Sequence, residues 1–102
     1  MDKLTRQQIE ATTALVGSGV FLSGQDLSSC DLSGINLERA NLPGANLQEA
    51  NLERANLQEA NLPGANLQEA NLRGTIFKGA TYSPETVWPE GLLPALVGAV
   101  EK

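Results

Sequence analysis

A period of five residues governs the middle of this chain and leaves few folds open to it. Leucine stands at every fifth position from Leu22 to Leu72, eleven times without a break, and Phe77 and Tyr82 keep the phase. Alanine fills the place two residues earlier seven times running, from Ala40 to Ala70. Asparagine fills the place one residue earlier eight times, from Asn36 to Asn71. A helix repeats its apolar positions about every 3.6 residues and a flat strand about every 2.0. Five suits neither, so the backbone must turn once per unit, with Ala and Leu facing inward and three positions outward. The unit Ala-Asn-Leu-x-x runs from Val20 to Pro84 as thirteen quintets, and only its last two places vary freely. Pro43-Gly44 and Pro63-Gly64 occupy those places, the residue types a tight turn asks for. The decapeptide Leu-Pro-Gly-Ala-Asn-Leu-Gln-Glu-Ala-Asn occurs at 42–51 and again at 62–71. That recurrence of twenty predicts four quintets per coil, so that residue n stacks on n+20.

Over about two thirds of the chain these quintets resemble the motif of the pentapeptide-repeat family, Ala-(Asp/Asn)-Leu-x-x. The resemblance implies an all-β solenoid, a right-handed quadrilateral β-helix with Leu and Ala inside and the variable positions outside. At the usual strand spacing of about 4.8 Å, thirteen quintets make about three coils and a rod roughly 15 Å tall. Stacked asparagines are expected to form side-chain ladders between coils. The first quintets depart from the motif, with Val20, Gln25, Cys30 and Ile35 in the alanine place. Gln25 is the least comfortable of them, since a buried amide needs partners, and it is expected near an open N-terminal end. Thr75-Ile76-Phe77 puts an apolar residue where asparagine belongs and marks the approach of the other end.

Both ends of such a rod would expose unpaired backbone, and the flanking segments read as covers: residues 1–19 as an N-terminal capping helix, 20–84 as the repeat, 85–102 as a C-terminal cap or tail. Thr5 and Gln8 fit a capping box, and Leu4 and Ile9 a hydrophobic staple. They predict a helix over residues 6–16 that ends at Gly17 and lays Ile9, Thr13 and Val16, with Leu15 beside them, on the first coil. This helix lacks the basic polar face of a membrane-surface helix. Ser83-Pro84-Glu85-Thr86 predicts a further turn, and Trp88 is read as a lid over the last Leu/Phe layer. Residues 94–100 are apolar on nearly every side. A short helical cap is their simpler role, with a homodimer contact as the alternative.

No catalytic, cofactor-binding or metal-binding residue is assigned. Histidine is absent, which removes Ser-His-Asp and Cys-His arrangements and histidine metal sites. Cys30 is the single cysteine, in an inward slot where a small core residue is expected. Gly17-Ser18-Gly19 lacks the Gly-Lys-Ser/Thr ending of a phosphate loop. Stacking by twenty pairs Arg39 with Glu59, Glu53 with Arg73, and Glu38 with Gln58 and Lys78. It also sets Glu49 over Glu69, a like pair that resembles a carboxylate site for a cation but reads more plainly as two solvated side chains. The net charge of −5 argues against nucleic-acid binding, and the longest apolar run, residues 92–100, is too short to span a bilayer. With one thiol and no leader-like N-terminus, the chain is expected in the cytoplasm. The function expected is a non-enzymatic structural or protein-interaction module with an unidentified protein partner. The alternative, implied by the resemblance, is an acidic DNA-mimicking inhibitor of an enzyme such as gyrase. A three-coil rod spans only roughly half a turn of duplex at about 3.4 Å per base step, and Arg39, Arg54 and Arg73 interrupt its acidity.

Overall fold

The computed structural model describes residues 3–102; Met1 and Asp2, the start of the segment read as the N-terminal cap, lie outside them. The chain winds so that each coil pairs in parallel with the next, twenty residues on. Phe21 pairs with Asn41, Asn41 with Asn61 and Asn61 with Thr81, and the three other sides repeat the pattern from Asp26, Asp31 and Asn36. Each side contributes one short rung: Leu47 N–H donates to Asn66 C=O at 2.7 Å, and Asn66 N–H to Ala45 C=O at 2.9 Å. The ladder therefore follows from the repeat itself, since a one-residue slip would turn every leucine outward.

At each corner the two variable residues make a β-turn closed by a bond such as Ala45 N–H to Leu42 C=O, 3.1 Å. The second of them has positive φ at every quintet from Gly24 to Gly79, whether glycine (Gly44, Gly64) or not (Glu49, Glu69). This is the type II pattern, which explains Pro-Gly at two corners. Gly24, Gly34, Gly74 and Gly79 answer the same demand, while Ser29, Arg39, Glu49, Arg54, Glu59 and Glu69 are L residues in the left-handed region, at a cost of about 1–2 kcal/mol each. Gly64→Ala is accordingly expected to lower stability by about 1 kcal/mol, although the new Cβ would meet Gly44 only in ordinary contact at 3.8 Å. Glu49→Gly should raise stability by a few tenths of a kcal/mol, because chain entropy offsets part of the relieved strain. Denaturant melts of the two variants check this; shifts of the same sign would refute the turn assignment.

Leucine and alanine side chains fill the interior. Leu27 through Leu67 and Ala40 through Ala65 are fully buried, with Ile9, Val20, Ile35, Phe77, Ala80 and Ala99 joining the same core. A buried Leu contributes about 1.5–3 kcal/mol, and the parallel rungs supply the rest of the regularity. The asparagines depart from the expected ladder on most sides. Asn46, Asn51, Asn56 and Asn66 each turn Oδ1 back onto the backbone N–H two residues on, at 3.0 Å. Where that residue is Pro43 or Pro63 there is no N–H to take. On that side alone the amides form a column: Asn61 Nδ2 donates to Asn41 Oδ1 at 3.1 Å, and Thr81 Oγ1 to Asn61 Oδ1 at 3.0 Å.

Helix α1, Arg6–Val16, has the expected capping box: Gln8 N–H donates to Thr5 Oγ1 at 3.1 Å and Thr5 N–H to Gln8 Oε1 at 2.8 Å. Gly17, at φ 79°, ends it with its N–H on Thr13 C=O. Its buried stripe is narrower than the sequence suggests, because only Ile9 is buried and Thr13 half-buried, while Val16 and Leu15 face outward. At the other end the pairing loses its strict twenty. Asn66 pairs with Val87, and strand β1, Thr81–Tyr82, pairs in parallel with β2, Val100–Glu101, nineteen residues on. Between Val87 and β2 the chain leaves the stack and makes a 3-10 helix, Pro94–Val97. The molecule measures 31 × 23 × 22 Å, a stub rather than a long rod.

Candidate functional site

Among the described residues no group of three or more Cys, Asp or Glu side chains is placed to hold a metal ion, and no helix is long and apolar enough to cross a membrane. Cys30 is half-buried against the core. Burial pushes its thiol up, and the weaker influence of Lys3 does not reverse this. A thiol held protonated is a poor nucleophile. Gln25 is also only half-buried, in keeping with its place near the N-terminal end. Gly19, in the loose phosphate-loop match, starts one corner of the stack by donating to Glu38 C=O at 3.0 Å. What the fold offers for function lies on its corners and at its two ends.

The N-terminal end is closed by two cations that sequence patterning did not single out. In the coils above, Asn51 C=O accepts Leu32 N–H at 2.7 Å and Glu53 C=O accepts Gly34 N–H at 2.8 Å. The equivalent carbonyls of the first coil belong to Asp31 and Ser33, with no coil beneath them. Arg6 reaches both, Nη1 to Asp31 C=O at 3.0 Å and Nη2 to Ser33 C=O at 2.8 Å. Lys3 Nζ donates to Ser28 C=O and to its hydroxyl. Arg6 also pairs with the Asp31 carboxylate at 3.5 Å and with Glu10 at 3.3 Å. Asp26 and Asp31 accept from the hydroxyls of Ser28 and Ser33 at 2.7 Å, which hold both carboxyls below the usual range, with the backbone N–H groups of the same serines helping. Phe21, in the asparagine place of the first quintet, is 81% exposed.

Charge is unevenly distributed over the four corners. Arg39 meets Glu59 at 3.3 Å, as the register predicts. Glu53 and Arg73, and Glu38 and Lys78, make no ion pair among the described residues. The corner that carries Gln48-Glu49 and Gln68-Glu69 is stacked by Glu49 N–H on Gln68 C=O at 2.9 Å. Beyond the Asn66–Val87 pair, twenty-one residues apart, the next turn is Glu90-Gly91, closed by Leu92 N–H on Pro89 C=O at 3.2 Å, and it no longer stacks on Glu69. Glu49 and Glu69 thus form a stacked pair without a cation. Its top is a cleft of about 530 Å³ lined by Gln68, Glu69, Val87, Trp88, Pro89 and Glu90. The indole of Trp88 stands edge-on to Phe77 and Tyr82, with ring centres 5.4 and 5.5 Å away, which agrees with its reading as a lid. Its Nε1–H is buried with no partner among the described residues. Because the chain turns away at Pro89, whose C=O takes Leu92 N–H instead, Glu69 N–H finds no acceptor among the described residues. Sequence patterning caught Glu49 and Glu69 but not Glu90, since the extra residue in the last coil breaks the period.

The C-terminal end remains open on two sides. Leu72 is half-buried, and Leu72 N–H and Ala70 C=O have no partner among the described residues. In the last segment of the chain Leu93 and Leu96 are 63% and 81% exposed, with Ile76, Val97 and Val100 also on the surface.

The family model for pentapeptide repeats matches residues 18–44 and 40–79, in eight copies. The chain is similar to the crystal structure of a pentapeptide repeat protein from Nostoc Pcc 7120, with 38% identity and a TM-score of 0.53 over 82% of this chain and 74% of that one. It is also similar to a pentapeptide repeat protein from the Arabidopsis thaliana thylakoid lumen, with 29% identity and a TM-score of 0.55 over 79% of this chain. It spans 61% of that second protein's length. No curated protein matches it.

Proposed function

The chain belongs to the pentapeptide-repeat family, and from that premise we propose that it is a non-enzymatic structural and protein-interaction module, capped by α1 and associating through its C-terminal end. The observation that carries this reading is the coincidence at that end of exposed Leu93, Leu96, Val97 and Val100 with backbone groups that lack partners among the described residues. The corners present Glu, Gln and Arg, whose burial in an interface requires matched partners. A two-fold contact through the C-terminal end would cover the open edge of both protomers at once. The buried interior supports the non-enzymatic part: apart from Ser83 and Thr86 the buried residues are apolar, and the Thr86 hydroxyl is taken up by Leu62 C=O at 2.6 Å.

The wild-type chain is expected to sediment as a dimer at high concentration, and Leu96→Lys/Val100→Lys as a monomer. A monomeric wild type would reduce this end to a simple cover. A dimeric double variant would place the contact on a side of the rod.

A further inference from the structure

We propose that the stacked pair Glu49 and Glu69, with the Trp88 cleft and Glu90 at its top, is a docking site for a Lys- or Arg-bearing extended segment of a partner protein. This deepens the reading as an interaction module but uses a different surface from the C-terminal contact. Two independent observations meet at the corner.

The first is charge. The repeat carries acid and base on its other charged corners, where Arg39 answers Glu59 and Arg54 and Arg73 share a corner with Glu53. On this corner Glu49 and Glu69 stack at successive levels and Glu90 lines the cleft beside Glu69, and none of the three is in an ion pair among the described residues. Like charges one strand spacing apart, about 4.8 Å, repel in the free protein, and a cation laid along them removes that repulsion.

The second is shape. The solenoid is flat wherever the period holds, but the residue added before Val87 lifts residues 88–90 off the stack and opens the cleft. One wall is the Trp88–Pro89 surface, on which the methylene stem of a Lys or Arg can lie with its head toward Glu69 and Glu90. Glu69 N–H, without an acceptor among the described residues, offers a donor to a main-chain carbonyl of the same segment. A neutral or acidic peptide would lack the charge match, and a nucleic acid would meet carboxylates of its own sign.

Trp88 is the single tryptophan, so its emission reports the cleft directly. Titration of the full chain with the peptide acetyl-Gly-Arg-Gly-Arg-Gly-amide is expected to shift Trp88 emission saturably, and added salt should weaken the response. The same peptide with Glu in place of Arg should leave emission unchanged. Glu69→Gln/Glu90→Gln should weaken the Arg peptide about fivefold to tenfold, while Glu38→Gln/Glu85→Gln, equal in charge but on other corners, should not. Equal weakening by both pairs, or equal response to both peptides, would overturn the site and leave only general attraction to an acidic protein. No response would overturn it outright. Repeating the titration on Leu96→Lys/Val100→Lys separates the response from self-association, so a monomeric wild type would refute the C-terminal dimer and leave this site standing, and the converse holds.

Discussion

Leu52→Ala is expected to cost about 2–5 kcal/mol, while Glu53→Ala, one residue along, should stay within about 0.5 kcal/mol of wild type. Leu52 is fully buried in the middle of a stack that runs through Leu32 and Leu72. In an irregular core, neighbours can move into the space left by truncation. Here the backbone ladder prevents it, because Leu32 N–H on Asn51 C=O at 2.7 Å and Leu52 N–H on Asn71 C=O at 2.9 Å fix the spacing of the rungs. The cavity therefore stays open, and the loss should lie in the upper part of that range. Leu72→Ala, at a half-buried site one coil above, should cost clearly less. Denaturant melts of the three variants read the order. Equal losses at Leu52 and Glu53 would mean that the phase of the repeat is wrong.

The fold is legible in the sequence wherever one residue type has one job. Eleven leucines at a spacing of five, and a twenty-residue recurrence, leave a single arrangement in which all of them are buried, and the register follows. The asparagines were less transparent because they have two possible jobs. Whether the amide caps its own turn or pairs with the next coil depends on a neighbour, the proline two residues on. The end of the rod was hidden for a different reason. The shift from twenty to twenty-one and then to nineteen comes from single residues in segments without a period, so no pattern points to the cleft or to Glu90. At the N-terminus, the capping box was readable because it is local. The reach of Lys3 and Arg6 to carbonyls about twenty-five residues away was not. Nor was the outward turn of Val16, since the width of a buried stripe depends on what the helix meets.

Arg6→Ala should open the N-terminal edge, lowering stability by about 1–2 kcal/mol and promoting end-to-end association. The guanidinium fork takes the place of two backbone N–H groups from a coil that does not exist, satisfying Asp31 C=O and Ser33 C=O at 3.0 and 2.8 Å. Hydrogen bonds from a charged donor are worth about 1.5–3 kcal/mol, but the Asp31 carbonyl lies at the surface and recovers much of its loss from water, hence the lower figure. Water does not replace the other consequence. Once the fork is gone, the Asp31 and Ser33 carbonyls are left open at the end of the rod, in the pattern with which any coil receives its neighbour. Burial of Ile9 and Leu4 should still hold α1 in place, so the effect reports the edge and not the helix. Arg6→Lys should restore the charge but not the fork, and should return only part of the stability. The comparison is best made in the Leu96→Lys/Val100→Lys background, so that contact through the opposite end cannot hide new association. Light scattering should then rise with concentration for Arg6→Ala alone, and amide exchange should quicken first around residues 20–35. A variant that stays monomeric, with an unchanged melt, would show that Ile9 and Leu4 close this end by themselves.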